Sequence, residues 1–198
     1  MIWAERAVHY VRTTKSMLSD NRDADRAAAI RDVDAARREG MTRSGAAPAG
    51  WQHALKAEVS AYEDARAGNC LEMAKVAFVY LAAQGVTPLE VAWLTPRAAI
   101  NVRLTGTATQ TDVDPDHAFV IIGRKSTALE RRNRFGGEID VPPVDSWDFG
   151  AVICDPWSKR CYLAQRLAME SEMINRVSGG ATTLSSDPRL EEGAAWTA

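Results

Sequence analysis

The sequence predicts an α+β fold, with helices first and a mainly antiparallel sheet after them. Three observations carry this reading. Apolar residues recur at helical spacing up to about Gln84, β-branched and aromatic runs begin only after Gly85, and those runs are divided by Gly, Pro and Asp. A chain of 198 residues suits one principal domain and can bury a core without disulfides or a structural metal.

Taken in order, a first helix is expected from Ile2 to about Met17. A second follows in "SDNRDADRAAAIRDVDAARREG", with Ser19 or Asp20 capping its start and Gly40 ending it. Its alternating charge, with Ile30 and Val33 as its only large apolar residues, fits an exposed helix or a docking arm. "MTRSGAAPAG" reads as a linker. Trp51, Leu55, Val59 and Tyr62 then mark one face of a third helix, with Gly68 as its stop. The next helix, Cys70 to about Gln84, is apolar nearly all round and belongs in the middle of a domain. "LEVAWLT", "AINVRLTG", "HAFVIIGR" and "AVICDPW" are strand candidates, the last two apolar on both faces as central strands would be. Between those two lies a polar insertion carrying Arg131, Arg132 and Arg134, with Arg124 at its edge. A last helix is expected over Tyr162 to Arg176, and the tail from residue 178 to 198 has little to pack. The division read from this is an N-terminal helical arm (1–45), a principal domain (46–177) and a mobile C-terminal tail (178–198).

Composition narrows the function classes. A formal charge of −2 offers no basic surface for nucleic acid or anionic lipid as a main partner. No apolar run approaches the roughly 18 residues of a membrane span. "MIWAERAVHYVRTTKS" lacks the apolar stretch of a Sec signal, so a cytoplasmic protein, or one exported by a specialised route, is expected. Cys70, Cys154 and Cys161 form no C-x-x-C, and an odd count argues against a disulfide framework and for reduced thiols. Neither a metal nor another cofactor is expected.

The chemistry is sought first in "AGNCLEMAK". With Asn69 as N-cap and Glu72 at N3, the pair forms a capping box and Cys70 falls at N1. There the helix dipole and unpaired N–H groups favour a thiolate and can hold an oxyanion beside it. His117, in "DPDHAFVIIGR", stands where a polar turn meets an apolar strand. Asp155, in "AVICDPW", follows an apolar strand and is costly to bury without a partner. Each has a plain structural reading: a small core thiol, a histidine at a strand start, and an aspartate opening a turn before proline. The three in this order favour a nucleophile, a base and an orienting acid.

"GNCLEMAKVAFVYL", "DHAFVIIGR" and "AVICDPW" together resemble the Cys-His-Asp pattern of papain-like and transglutaminase-like bacterial effectors and toxins, over residues 51 to 165. The resemblance implies a central helix bearing the cysteine, packed on an antiparallel sheet. It implies Cys70 as nucleophile, His117 as general base and Asp155 as orienter, with Asp145 and Asp148 as rivals for the third role. Gln52 resembles in type the upstream glutamine of papain-like enzymes and, with Asn69, is a candidate for oxyanion or site support. The C-G-[SA]-C-[WY] signature of lysosomal relatives is absent. His53 reads as a surface residue and Cys154 as core. The resemblance also implies a protein substrate in a host or competitor cell, with a chaperone or immunity protein as a further partner.

The reaction implied is attack of a thiolate on an amide, followed by hydrolysis of the thioester. Deamidation of a Gln or Asn side chain is the first expectation. Proteolysis and transglutamination use the same groups. Acyl transfer to a small amine ranks after them, and an inactive binding module of the same fold is the non-enzyme alternative. The arginines of the insertion, together with the N-terminal helices, would offer a docking surface for a protein target.

Overall fold

The computed structural model describes residues 1–19, 26–96, 117–124, 139–140, 147, 149–167 and 182–192. Helix α1 (Ile2–His9) continues as a wider π-type turn over Tyr10–Thr14. Three further helices follow: α2 (Arg26–Ala46), α3 (Trp51–Ala65) and α4 (Cys70–Ala83). The strands are β1 (Leu89–Pro96), β2 (His117–Ile122), β3 (Ile139–Asp140), β4 (Val152–Asp155), β5 (Arg160–Leu163) and β6 (Thr182–Glu192). They form one sheet in the order β3-β6-β1-β2-β4-β5, every neighbouring pair antiparallel. The α+β class and its helices-then-sheet order are therefore present.

Alternation along the central strands explains why β2 and β4 are apolar on both faces. Ala118, Val120, Val152 and Cys154 enter the larger core, which holds α1, α3 and α4. Phe119, Ile121 and Ile153 enter a second cluster on the other face, with Trp147, Tyr162 and Leu167. Helix α4 sits between β1, β2 and β4 on one side and α1 and α3 on the other, so it buries Met73, Val76, Phe78 and Leu81 around most of its circumference.

Several elements depart from expectation. Helix α2 runs through Gly40 to Ala46, so most of the expected linker is helical. Gly40 is not a stop but a point of close approach, where an added Cβ would lie 3.2 Å from Glu58 Cγ and 3.3 Å from Tyr62 Cε1. Val33 and Ala36 are buried as α2 packs on α3. Ala4, Ala7 and Val11 join the same core as α4, because small residues let α1 approach it and the sheet closely. Helix α3 ends at Ala65, three residues before Gly68, with Arg66 taking the left-handed conformation (φ 54°). Where a helix from Tyr162 was expected, β5 pairs with β4 and a single 3₁₀ turn follows over Ala164–Arg166. Residues 182–192 are not a loose tail but β6, held between β1 and β3 by backbone pairing that needs no apolar side chain. The strand expected in "AINVRLTG" and residues Arg131, Arg132 and Arg134 lie outside the described residues. Among those described, no helix is long and apolar enough to cross a membrane.

Candidate active site

The loop before α4 is built to present Cys70. Leu18 N–H donates to Arg66 O at 2.9 Å and Gly68 N–H donates to Leu18 O at 3.0 Å, pairing the segment after α1 with the residues before Cys70. Gly68 is required by that packing. A Cβ there would lie 2.6 Å from Glu72 Cβ and 3.0 Å from Met17 Cε. Asn69 is the N-cap, and its N–H donates to Glu72 Oε2 at 2.9 Å, with the reciprocal bond from the Glu72 backbone completing the capping box. Cys70 takes N1, where its backbone N–H has no partner within the helix. Glu72 is 5 % exposed, and Arg37 of α2 offsets its burial with a two-point clamp, Nε to Oε1 at 2.9 Å and Nη2 to Oε2 at 3.2 Å.

His117 opens β2 and Asp155 closes β4. The β2–β4 register pairs Val120 with Cys154, so one step further Asp155 falls on the same sheet face as His117 and diagonal to it. His117 Nε2 lies 2.6 Å from Asp155 Oδ2. A carboxylate only accepts, so Nε2–H is the donor, as it is in both the neutral Nε2–H tautomer and the imidazolium. The other carboxylate oxygen accepts Ser158 N–H at 3.0 Å. Both side chains are essentially without solvent contact, at 2 % and 1 % exposure for His117 and Asp155. Nδ1 of His117 is buried with no hydrogen-bond partner among the described residues. The Cys70 sulfur lies close enough to the ring to influence its charge. Burial opposes charge on this imidazole. The Asp155 carboxylate, by charge and hydrogen bond, and then Cys70 outweigh that burial and push the ring up from 6.5 to about 9. The site thus favours imidazolium at neutral pH.

Trp157 and Ser19 complete the frame. The Trp157 ring lies 5.1 Å from that of His117 at 59°, walling the imidazole. Its Nε1–H donates to Ser19 Oγ at 3.1 Å, and the Ser19 hydroxyl donates to Asn69 Oδ1 at 2.9 Å. Ser19 is fully buried. One hydroxyl therefore joins the residue that backs His117 to the residue that precedes Cys70.

The structure brings Cys70, His117, Asp155 and Asn69 together, and leaves Gln52 out. Helix α3 carries Gln52 at its start, and the other end of α3 leads to Cys70, which separates the two by about 20 Å along the helix. Three helical turns intervene between its amide and the thiol, so it supplies no oxyanion donor. Asp145 and Asp148 lie outside the described residues. Arg124, expected on a docking surface, is buried in an ion pair with Glu90, Nε to Oε2 at 2.7 Å, under the Trp147 ring. Ser19 was expected to cap a helix and instead bonds Asn69. Its role, like that of Arg37, carries no local signal, whereas Trp157, two residues after Asp155, was open to suspicion as part of the strand-end motif. A cavity of about 540 Å³ along α1, lined by Ile2, His9, Tyr10 and Tyr80 among others, holds no member of the Cys-His-Asp set. Comparison with protein families, curated proteins and solved structures finds nothing that matches this chain.

Proposed function

We propose that this protein is a thiol hydrolase with a papain-like or transglutaminase-like core, acting on the side-chain amide of Gln or Asn in a protein target. One observation carries the reading. His117 is held by Asp155 at 2.6 Å through one ring nitrogen, while the other is buried, has no hydrogen-bond partner among the described residues, and lies beside a cysteine at a helix N-terminus. A buried, unsatisfied nitrogen is unfavourable and calls for an explanation, and transfer of a proton to and from sulfur and substrate supplies one.

In this mechanism the Cys70 sulfur attacks the carboxamide carbon. The charge that develops on oxygen is met by the Cys70 backbone N–H and the dipole of α4. His117 gives its proton to the departing nitrogen, ammonia leaves, and a thioester remains. Water, deprotonated by His117, attacks the thioester and releases a carboxylate and the thiol. Asp155 keeps the ring in position and favours its charged form throughout. At 8 % exposure Cys70 is recessed, which suits a slender side-chain amide better than a peptide backbone.

The test is intact-mass and peptide analysis of cell lysate treated with wild type and with Cys70→Ala. A target that gains about one dalton at a Gln or Asn only with wild type supports deamidation. New termini would replace it with proteolysis and cross-links with transglutamination, and identical lysates would overturn the hydrolase reading.

A further inference from the structure

Away from the site, the hairpin that carries Asp155 holds a second pair of sulfurs. Strands β4 and β5 place Cys154 directly opposite Cys161. The same register sets Ala151 opposite Ala164, and Ala164 N–H donates to Ala151 O at 2.8 Å, so that pair is a hydrogen-bonded one. Antiparallel pairs alternate, which makes Val152–Leu163 and Cys154–Cys161 the non-hydrogen-bonded kind. There the Cα atoms approach to about 4.5 Å and the side chains lean together, within the roughly 4.4–6.8 Å that a disulfide spans. Both thiols are free. Both face the core under α1: Cys154 Sγ–H donates to Ala4 O at 3.6 Å, and Cys161 packs against the same cluster within reach of Glu5.

We propose that Cys154 and Cys161 form a reversible two-electron redox site, a dithiol that a small-molecule disulfide converts into a cross-strand disulfide. Their different burial assigns the order of events. Cys154 has no solvent exposure, whereas Cys161 is half-buried, so the reagent meets Cys161 first. Cys161 loses its proton and attacks one sulfur of the reagent. The reagent's S–S bond breaks, and one small thiolate leaves and takes up a proton. Cys154 then gives up its proton and attacks the Cys161 sulfur from within, expelling the second small thiolate outward to solvent. The protein has lost two electrons and two protons, and the reagent has gained them as two thiols. Side chains alternate along β4, so the new bond lies on the face opposite Asp155. It closes the turn that contains Asp155, Trp157 and Ser158, and stiffens the support of His117 without touching its ring. This inference does not rest on the hydrolase reading.

The experiment treats the full-length Cys70→Ala chain with oxidised glutathione at mildly alkaline pH, blocks remaining thiols and maps the peptides. The expected result is a 154–161 disulfide, loss of the two thiol hydrogens in intact mass, reversal by a phosphine reductant and no lasting glutathione on either residue. Adding Cys154→Ala should trap a glutathione adduct on Cys161, and Cys161→Ser should leave Cys154 unreacted. A stable adduct on Cys161 with Cys154 present would overturn the proposal, as would direct adduct formation on Cys154 when Cys161 is absent. The first measurement needs no substitution in the hairpin, so it decides the matter even where a hairpin variant does not fold.

Discussion

Strand β2 is flanked by two buried ion pairs, and they are built for opposite ends. At its start His117 meets Asp155, and just past its end Arg124 meets Glu90. Both pairs are almost fully buried and both are short. The Arg124 guanidinium grips both carboxylate oxygens of Glu90, Nε to Oε2 at 2.7 Å and Nη2 to Oε1 at 2.5 Å, and lies 5.4 Å from the Trp147 ring centroid. It cannot lose its proton, so it can only be a fixed charge. His117 has one nitrogen with no hydrogen-bond partner among the described residues, can shed its proton as pH rises through about 9, and has a thiol for a neighbour. A buried charge pair is thus no sign of chemistry in itself. The sign is a proton that can move and an atom next to it with a use for that proton.

Removing one partner from each pair should separate the two roles most sharply. Asp155→Asn is expected to lower kcat/KM on the target by roughly 10³–10⁴-fold, because the ring loses its orienting acceptor, and to cost on the order of 3 kcal/mol near neutral pH, a cost that shrinks as pH rises through about 9 because His117 can shed its charge. Glu90→Gln leaves Arg124 charged and buried, and is expected to cost about 3–5 kcal/mol while the folded fraction alkylates Cys70 with iodoacetamide at the wild-type rate. Equal losses of stability and equal losses of turnover from the two substitutions would erase the distinction.

Next in size is a dependence on pH. His117 binds its proton more tightly when folded than when unfolded, so its contribution is complete below pH 6.5 and is lost as pH rises through about 9. Urea unfolding across that window should show stability falling by on the order of 3 kcal/mol in wild type, as a shift from 6.5 to about 9 implies. Asp155→Asn should flatten the slope and Glu90→Gln should keep it. A slope that survives in Asp155→Asn would assign it to another group.

The smallest effect concerns the frame. Ser19→Ala removes the acceptor of Trp157 Nε1–H and a donor to Asn69 Oδ1, a loss of roughly 1–3 kcal/mol. It should also slow alkylation of Cys70 several-fold at a temperature where the variant is fully folded. An unchanged rate would make Ser19 a packing residue and no more.

What could be read from the residues was whatever sits at a junction of local patterns. Cys70 follows a cap, His117 begins an apolar run and Asp155 ends one, so each announces itself within a few positions. Ser19 and Arg37 act across 50 and 35 positions of chain, and no local rule reaches that far. Arg124 reads as part of a docking surface only because its partner, Glu90, lies 34 residues upstream on a neighbouring strand. Gln52 had the right side chain at the wrong end of a helix. In β6, Thr, Ser, Asp and Pro hide a strand whose position comes from backbone pairing with β1 and β3, which composition does not report.

The pairing of Leu18 with the residues just before Cys70 reaches beyond the site itself. A fragment beginning at Trp51 would contain Cys70, His117 and Asp155, yet would lack the backbone rail along Ala67 and Gly68, the Ser19 hydroxyl on Asn69 and the Arg37 clamp on Glu72. The N-terminal segment is therefore part of what holds Cys70 in place, and a piece trimmed to residues 51 onward would be an imperfect stand-in for the whole chain.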